Sequence, residues 1–178
     1  NSSINNYNAQ VFADSVSEVS KKEGVSILVL SSTADSKYIA PLIAIQLSAG
    51  LASNVVNTPI SISPLVVKRS CFTNKAFNET KLLGDINIIC VSNNSYGIHE
   101  NQTQPEMVDE NAIVKNPKTK LESIDKATGL VSIADADIVI SGGRGLKGPE
   151  NWHLIEELAS TLGAATACSK PVSDMGWR

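Results

Sequence analysis

The chain has 178 residues, 42% of them hydrophobic, and a net charge of −3. The hydrophobic share supports a packed core and excludes general disorder, while the acidic balance excludes the basic stripe of a nucleic-acid binder. No apolar run reaches membrane-spanning length and the opening residues are polar rather than signal-like, so membrane insertion is not expected.

In chain order, Ala9 to Glu23 reads as a helix with Val11, Phe12, Ser15, Val16 and Val19 along one face and Gly24 as its stop. Ile27 to Leu30 is a short continuous apolar run, the pattern of a strand covered on both faces. Ser31 to Asp35 supplies cap-type residues for a second helix running to about Ser48 and ended by Gly50. Pro41 fits only its first turn, which predicts a start nearer Tyr38 than Asp35, or a kink. Leu65 to Phe72 and Ala76 to Leu82 flank Thr73-Asn74-Lys75 and predict an antiparallel hairpin. Ile86 to Val91 is a further buried strand.

From Ser92 to about Glu110 the residues turn polar, which predicts a long surface loop. Asn111 to Ile124 is expected to hold a strand or two, and Asp137 to Ile140 a strong strand. A Gly-rich turn follows, then a helix from about Pro149 to Leu162 with Ile155, Leu158, Ala159 and Leu162 on one face and Gly163 at its end. Ala164 to Cys168 reads as the next parallel strand. Cys71, Cys90 and Cys168 are odd in number and far apart, which suits packed thiols in a reducing, cytoplasmic compartment. Neither end, Asn1 or Trp177-Arg178, has the look of a natural terminus, and an internal fragment is expected.

Strand, glycine-rich turn, helix is an arrangement that binds phosphates: glycines admit the anion to the backbone and a helix start presents free N–H groups. Gly143-x-Gly145-x-x-Gly148 matches the dinucleotide fingerprint in letters. The acid expected at the tip of the next strand is absent, since that tip reads Ser169-Lys170, so a nicotinamide-binding unit is disfavoured. The same glycines could serve only a tight turn; Arg144 within the turn favours a ligand. His99 and His153 lack a second metal ligand at useful spacing, and Ser141 is not in a nucleophile-elbow motif.

The stretch Ala136-Asp137-Ile138-Val139-Ile140-Ser141-Gly142-Gly143-Arg144-Gly145-Leu146-Lys147-Gly148-Pro149-Glu150-Asn151-Trp152 resembles the alpha subunit of electron transfer flavoproteins. The resemblance continues through Leu158-Ala159 and Leu162 to Ala165, and then through Cys168 to Trp177. Upstream, Ser36 to Pro41, Leu47 to Val55 and Asn74 to Phe77 are similar to the helix and hairpin of that family's first domain.

The resemblance implies an α/β fold: parts of two Rossmann-like three-layer units, the first with an antiparallel hairpin, the second the start of an FAD-binding domain. Residues 1–110 would be the remainder of an N-terminal domain facing a beta subunit, and 111–178 the start of the flavin domain. It further implies a non-catalytic carrier whose FAD takes electrons from acyl-CoA or other dehydrogenases and passes them to a quinone reductase. Carried over by position, Arg144 and Ser169 would contact FAD, and Lys170 would stand where the family has an arginine beside the flavin ring. A cation there stabilises the negatively charged reduced flavin and raises its potential. Lysine keeps the charge but not the planar fork. Further flavin contacts of the family lie beyond Trp177, so this piece by itself is expected to bind FAD weakly or not at all. Specialised relatives serving nitrogenase or carnitine metabolism, or bifurcating electrons, are not separable from it. The rivals are a nucleotide-dependent α/β enzyme using turn 141–148 for phosphate, and a plain subunit-docking module.

Overall fold

The computed structural model describes residues 7–95, 97–111, 117–123, 133 and 136–178. The chain divides into two compact units, Asn1–Ile124 and Asp125–Arg178.

Unit 1 opens with helix α1 (Ala9–Lys22), started by Asn8, whose Oδ1 accepts from the amides of Gln10 (3.1 Å) and Val11 (3.2 Å). Strand β1 (Ile27–Ser31) leads into α2 (Ala34–Leu47), capped by Thr33 and closed by Ser48 in a left-handed conformation (φ 50°). Three outcomes differ from the sequence reading. Pro41 lies inside α2, not in its first turn, so the Lys37 carbonyl has no helical amide to accept from. Gly50 does not end the helix; it begins a strand, β2 (Gly50–Val55), that the weakly apolar run Leu51-Ala52-Ser53-Asn54-Val55 did not announce. The buried side of α1 is Val11, Ala13, Ser17 and Ser20, while Phe12 and Val19 are 36% and 40% exposed. Small residues win that face because α1 packs directly on α2, and close helix approach favours short side chains over bulk.

The rest of the unit is β3 (Ser61–Ile62), β4 (Leu65–Cys71), β5 (Ala76–Leu82) and β6 (Asn87–Val91), in one sheet ordered β1-β6-β2-β4-β3 with β5 on the other side of β4. β1, β6 and β2 run parallel; the hairpin β4–β5 is antiparallel from Leu65↔Leu82 to Cys71↔Ala76, as the sequence predicts. Alternation along β6 sends Ile88 to the helices, where it meets Ala13, Ile43 and Leu47. Ile89 on the opposite face joins Ala52, Val55, Leu65, Val67 and Leu82, so the sheet curls until its parallel and hairpin parts share a core. Both α1 and α2 therefore serve one face. β1 is not covered on both sides: Val29 is 57% exposed. A bulge with Asn54 at φ 56° shifts the β2–β6 register between Ala52 and Val55. Arg69 secures it, donating from Nε to the Ser53 carbonyl at 2.6 Å and from Nη2 to its Oγ at 3.1 Å.

The predicted loop 92–110 holds no helix or strand among its described residues. The strands expected over 111–124 are absent at 111 and 117–123; residues 112–116 and 124 lie outside the described residues.

All three cysteines are free thiols. Cys90, on β6, is 5% exposed and burial pushes its pKa up. Iodoacetamide near neutral pH should modify Cys71 and Cys168, both half-buried, well before Cys90, since the thiolate is the nucleophile. Equal labelling rates by mass spectrometry would contradict the packing of β6.

In unit 2, β7 (Val139–Gly142) pairs in parallel with β8 (Ala165–Cys168), and α3 (His153–Leu162) connects them. Gly163 ends α3 with φ 63°. A short helix, α4 (Lys170–Asp174), follows. The apolar side of α3 is buried at Ala159, while Leu158 and Leu162 are 48% and 47% exposed, more open than the periodicity implied.

Among the described residues no helix is long and apolar enough to cross a membrane.

Candidate functional site

Parallel pairing in unit 2 brings two loops together. Gly142 lies opposite Cys168, and the Ser169 amide donates to the Gly142 carbonyl at 3.0 Å. The Gly-rich turn and the Ser169-Lys170 segment thus leave adjacent carboxyl ends of one sheet, the edge where open α/β sheets take ligands.

The turn itself is not a direct strand-to-helix junction. Arg144–Leu146 forms one 3-10 turn and Pro149–Asn151 a second, and α3 starts only at His153. The fingerprint Gly143-x-Gly145-x-x-Gly148 is therefore a match of letters and not of geometry: its glycines do not sit at the mouth of an α-helix. Pro149 fixes the backbone of the second turn and moves the helix start onward.

The glycines differ in why they are small. A side chain on Gly142 would place its Cβ 2.5 Å from Cζ3 of Trp152 and 2.8 Å from a Leu146 methyl, so the fold forbids one. The nearest atoms to a side chain on Gly148 would be those of the movable Glu150 carboxylate. Gly143 and Gly145 have nothing within 4 Å of a built Cβ, and neither has a positive φ. Among the described residues, packing does not require glycine at those two positions, and the backbone there is open.

Arg144 is exposed on this turn and has no hydrogen-bond or ion-pair partner among the described residues. Ser169 is half-buried at the tip of β8, and its hydroxyl makes no capping bond to α4. Lys170 lies next to it, 84% exposed, with Nζ 3.4 Å from Asp174 one turn along α4. An exposed pair of this kind is worth little and leaves the ammonium free to exchange partners. The three expected site residues hence share one edge, with two positive side chains and a hydroxyl.

Two further residues escaped the sequence reading as parts of this site. Asn151 donates from Nδ2 to the Leu146 carbonyl at 2.7 Å. Trp152 is 5% exposed, its ring against Gly142, with the Arg178 guanidinium 5.7 Å from the ring centre. Its indole Nε1 is buried with no partner among the described residues. Nothing local in the sequence signals that the contact of Trp152 is a strand-end glycine.

Among the described residues no group of three His, Cys, Asp or Glu side chains could hold a metal. His153 Nδ1 lies 2.9 Å from the Glu150 carbonyl. The hollow of about 460 Å³ at the carboxyl ends of β1 and β6 is lined by Val29, Ser31, Ser92, Asn93, Asn94 and Ser95 among others, without a carboxylate or histidine.

The family model for the electron transfer flavoprotein domain matches residues 1–116, and that for the electron transfer flavoprotein FAD-binding domain matches 132–178. Curated relatives include electron transfer flavoprotein subunit alpha of Thermoanaerobacterium thermosaccharolyticum, 27% identical over 98% of this chain and 55% of that protein. The subunit alpha of Bacillus subtilis is 25% identical over 96% of this chain and 54% of its own length. Protein FixB of Bradyrhizobium diazoefficiens is 45% identical, over 30% of this chain and 14% of its own length. The chain spans about half the length of the subunit alpha relatives it matches.

Proposed function

The chain belongs to the electron transfer flavoprotein family, and from that premise we propose that it is the part of an alpha-type subunit that begins the FAD site of an electron carrier. The observation that carries this reading is the turn at Gly143–Gly148: open glycines and an Arg144 without a partner among the described residues, set beside Ser169 at the ends of two parallel strands.

These residues fit a flavin dinucleotide. Arg144 would hold it by charge and by guanidinium hydrogen bonds, Gly143 and Gly145 would let its polar part approach the backbone, and Ser169 would add a short donor. Lys170 would place a cation beside the ring. Bound FAD supplies the redox chemistry, accepting electrons from one protein and releasing them to another. The protein is then a carrier and not a catalyst by itself, taking electrons from dehydrogenases and delivering them to a quinone reductase or similar acceptor.

In this reading residues 1–110 dock a beta subunit and 111–178 open the flavin domain. Docking is supported by the exposed apolar side chains of the hairpin side, Phe72 (77%), Phe77 (60%) and Ile62 (63%). Free thiols at Cys71, Cys90 and Cys168 support a cytoplasmic setting.

The test is the visible spectrum of the polypeptide carrying this chain, co-purified with its partner subunit. Flavin bands are expected; colourless, ATP-hydrolysing material would refute the carrier reading. Arg144→Gln should raise the FAD dissociation constant about tenfold or more, in line with about 1.5–3 kcal/mol for a hydrogen bond to a charged group. An unchanged constant would remove Arg144 from the site.

A further inference from the structure

We propose that Asn151 is a positioning residue: its side chain holds turn 143–148 in the shape that receives the cofactor, with Trp152 securing the other end of the turn. The inference rests on the flavin reading above and adds residues that do not themselves touch the ligand.

The turn has little of its own to hold it. Its internal backbone bonds are Leu146 N–H to the Gly143 carbonyl (3.1 Å) and Lys147 N–H to the Arg144 carbonyl (3.0 Å). Lys147 is left-handed at φ 68°, and glycines on both sides of Arg144 widen the conformations an untethered loop would sample. Two contacts oppose that freedom. At the far end, Asn151 Nδ2 donates to the Leu146 carbonyl at 2.7 Å while the Asn151 amide donates to the Gly148 carbonyl at 3.3 Å. One residue thus grips the turn on both sides of Lys147. At the near end, the Trp152 ring and the Leu146 side chain crowd Gly142, the last residue of β7. Asn151 and Trp152 are adjacent and lead directly into α3, so the helix start anchors both ends of the turn.

This arrangement has a consequence for binding. Ordering several loop residues when the ligand arrives costs about 1–2 kcal/mol each, so a turn already ordered binds more tightly with no new contact. Asn151 spends its amide on the turn's carbonyl, so its effect on the ligand passes through the position of Arg144.

The experiment compares wild type, Asn151→Ala and Trp152→Phe in the polypeptide carrying this chain, assembled with its partner subunit. Amide hydrogen exchange is measured without flavin, and FAD affinity by titration. In Asn151→Ala, exchange at Leu146 and Lys147 should accelerate about tenfold while the β7 and β8 amides are unchanged, and the FAD dissociation constant should rise on the order of tenfold. Trp152→Phe lacks the outer indole ring atoms that lie against Gly142 and should accelerate exchange at Gly143 and Arg144, the near end of the turn. Unchanged exchange in the turn overturns the proposal, as does uniform acceleration across β7, β8 and the turn, which would mark Asn151 as a general stability residue. If Asn151→Ala fails to fold, Asn151→Asp, similar in shape but without the Nδ2 donor, gives the same comparison. A wild-type assembly that takes no FAD would defeat the flavin reading and with it the role assigned to the turn; loosened exchange in Asn151→Ala with unaltered FAD affinity would defeat the positioning role alone.

Discussion

Gly142→Val should be among the most damaging single changes in unit 2, costing about 3 kcal/mol, the upper end of the overpacking range. A Cβ at this position falls 2.5 Å from Cζ3 and 3.0 Å from Cη2 of Trp152. The indole cannot retreat easily, because it is 5% exposed and closed in by the start of α3. The strand cannot retreat either, since Gly142 pairs with Cys168 and accepts from the Ser169 amide. Protein domains are stabilised by only about 5–15 kcal/mol, so a loss of that size removes a large part of the margin. Tryptophan fluorescence during urea unfolding is the measurement: the variant should show red-shifted emission and an early transition, and Gly142→Ala an intermediate midpoint. A valine variant with wild-type midpoint would mean that the Trp152–Gly142 contact does not order this region. The substitution at Gly145, where nothing lies within 4 Å, is the natural control: Gly145→Ala should leave stability within about 0.5 kcal/mol.

Ile88→Ala should lower the stability of unit 1 by about 3–4 kcal/mol, within the range for emptying a well-packed aliphatic site. Ile88 is 0% exposed, on the central strand of the parallel trio, opposite Leu28 of β1 and Leu51 of β2. Above it lie Ala13, Ile43 and Leu47 of the two helices. Removing its branches leaves a cavity between sheet and helices, and no neighbour is free to fill it. Ile88→Asp should be worse, since the carboxylate would be buried without a partner. Val29→Ala supplies the contrast: with 57% of Val29 exposed at the sheet edge, the change should cost well under 1 kcal/mol. Chemical denaturation followed by far-ultraviolet circular dichroism separates the cases. Equal midpoints for Ile88→Ala and Val29→Ala would contradict the placement of the core between β6 and the helices.

How legible each feature was depended on how local its cause is. The hairpin could be read because Thr73-Asn74-Lys75 separates two strand-like runs, and its register follows from that turn alone. The end of α1 could be read because Gly24 acts through its own dihedrals, with φ at 62°. The face of α1 could be read only in part. Periodicity pointed to Val11, Phe12, Ser15, Val16 and Val19; Val11 is buried and Val16 packs on the helix-side core, but Ala13, Ser17 and Ser20 are buried where Phe12 and Val19 are not, and a partner's surface is not written in the helix it meets. β2 was missed for a related reason: its residues carry little strand propensity, and pairing with β6 on one side and β4 on the other makes it a strand.

The candidate site divides in the same way. Arg144 could be named as a candidate because it stands in a glycine-rich turn, whereas Ser169 and Lys170 were named from what the family resemblance implies. That resemblance now stands on matches across both units. The exposed ion pair of Lys170 with Asp174, the late start of α3 and the grip of Asn151 on Leu146 were not visible.

By itself, then, the amino-acid sequence determined an α/β chain, its hairpin, the parallel strands flanking a glycine-rich turn, and the family to which that turn belongs. Propensity, capping and turn chemistry act within a few residues, and that range suffices for such features. Only the tertiary structure decided which helix face is buried, that the sheet curls on itself, and that Gly142 is small for Trp152 while Gly143 and Gly145 are open. Those outcomes depend on which atoms arrive from distant parts of the chain, and close packing sets a requirement at a position only once its neighbours are in place.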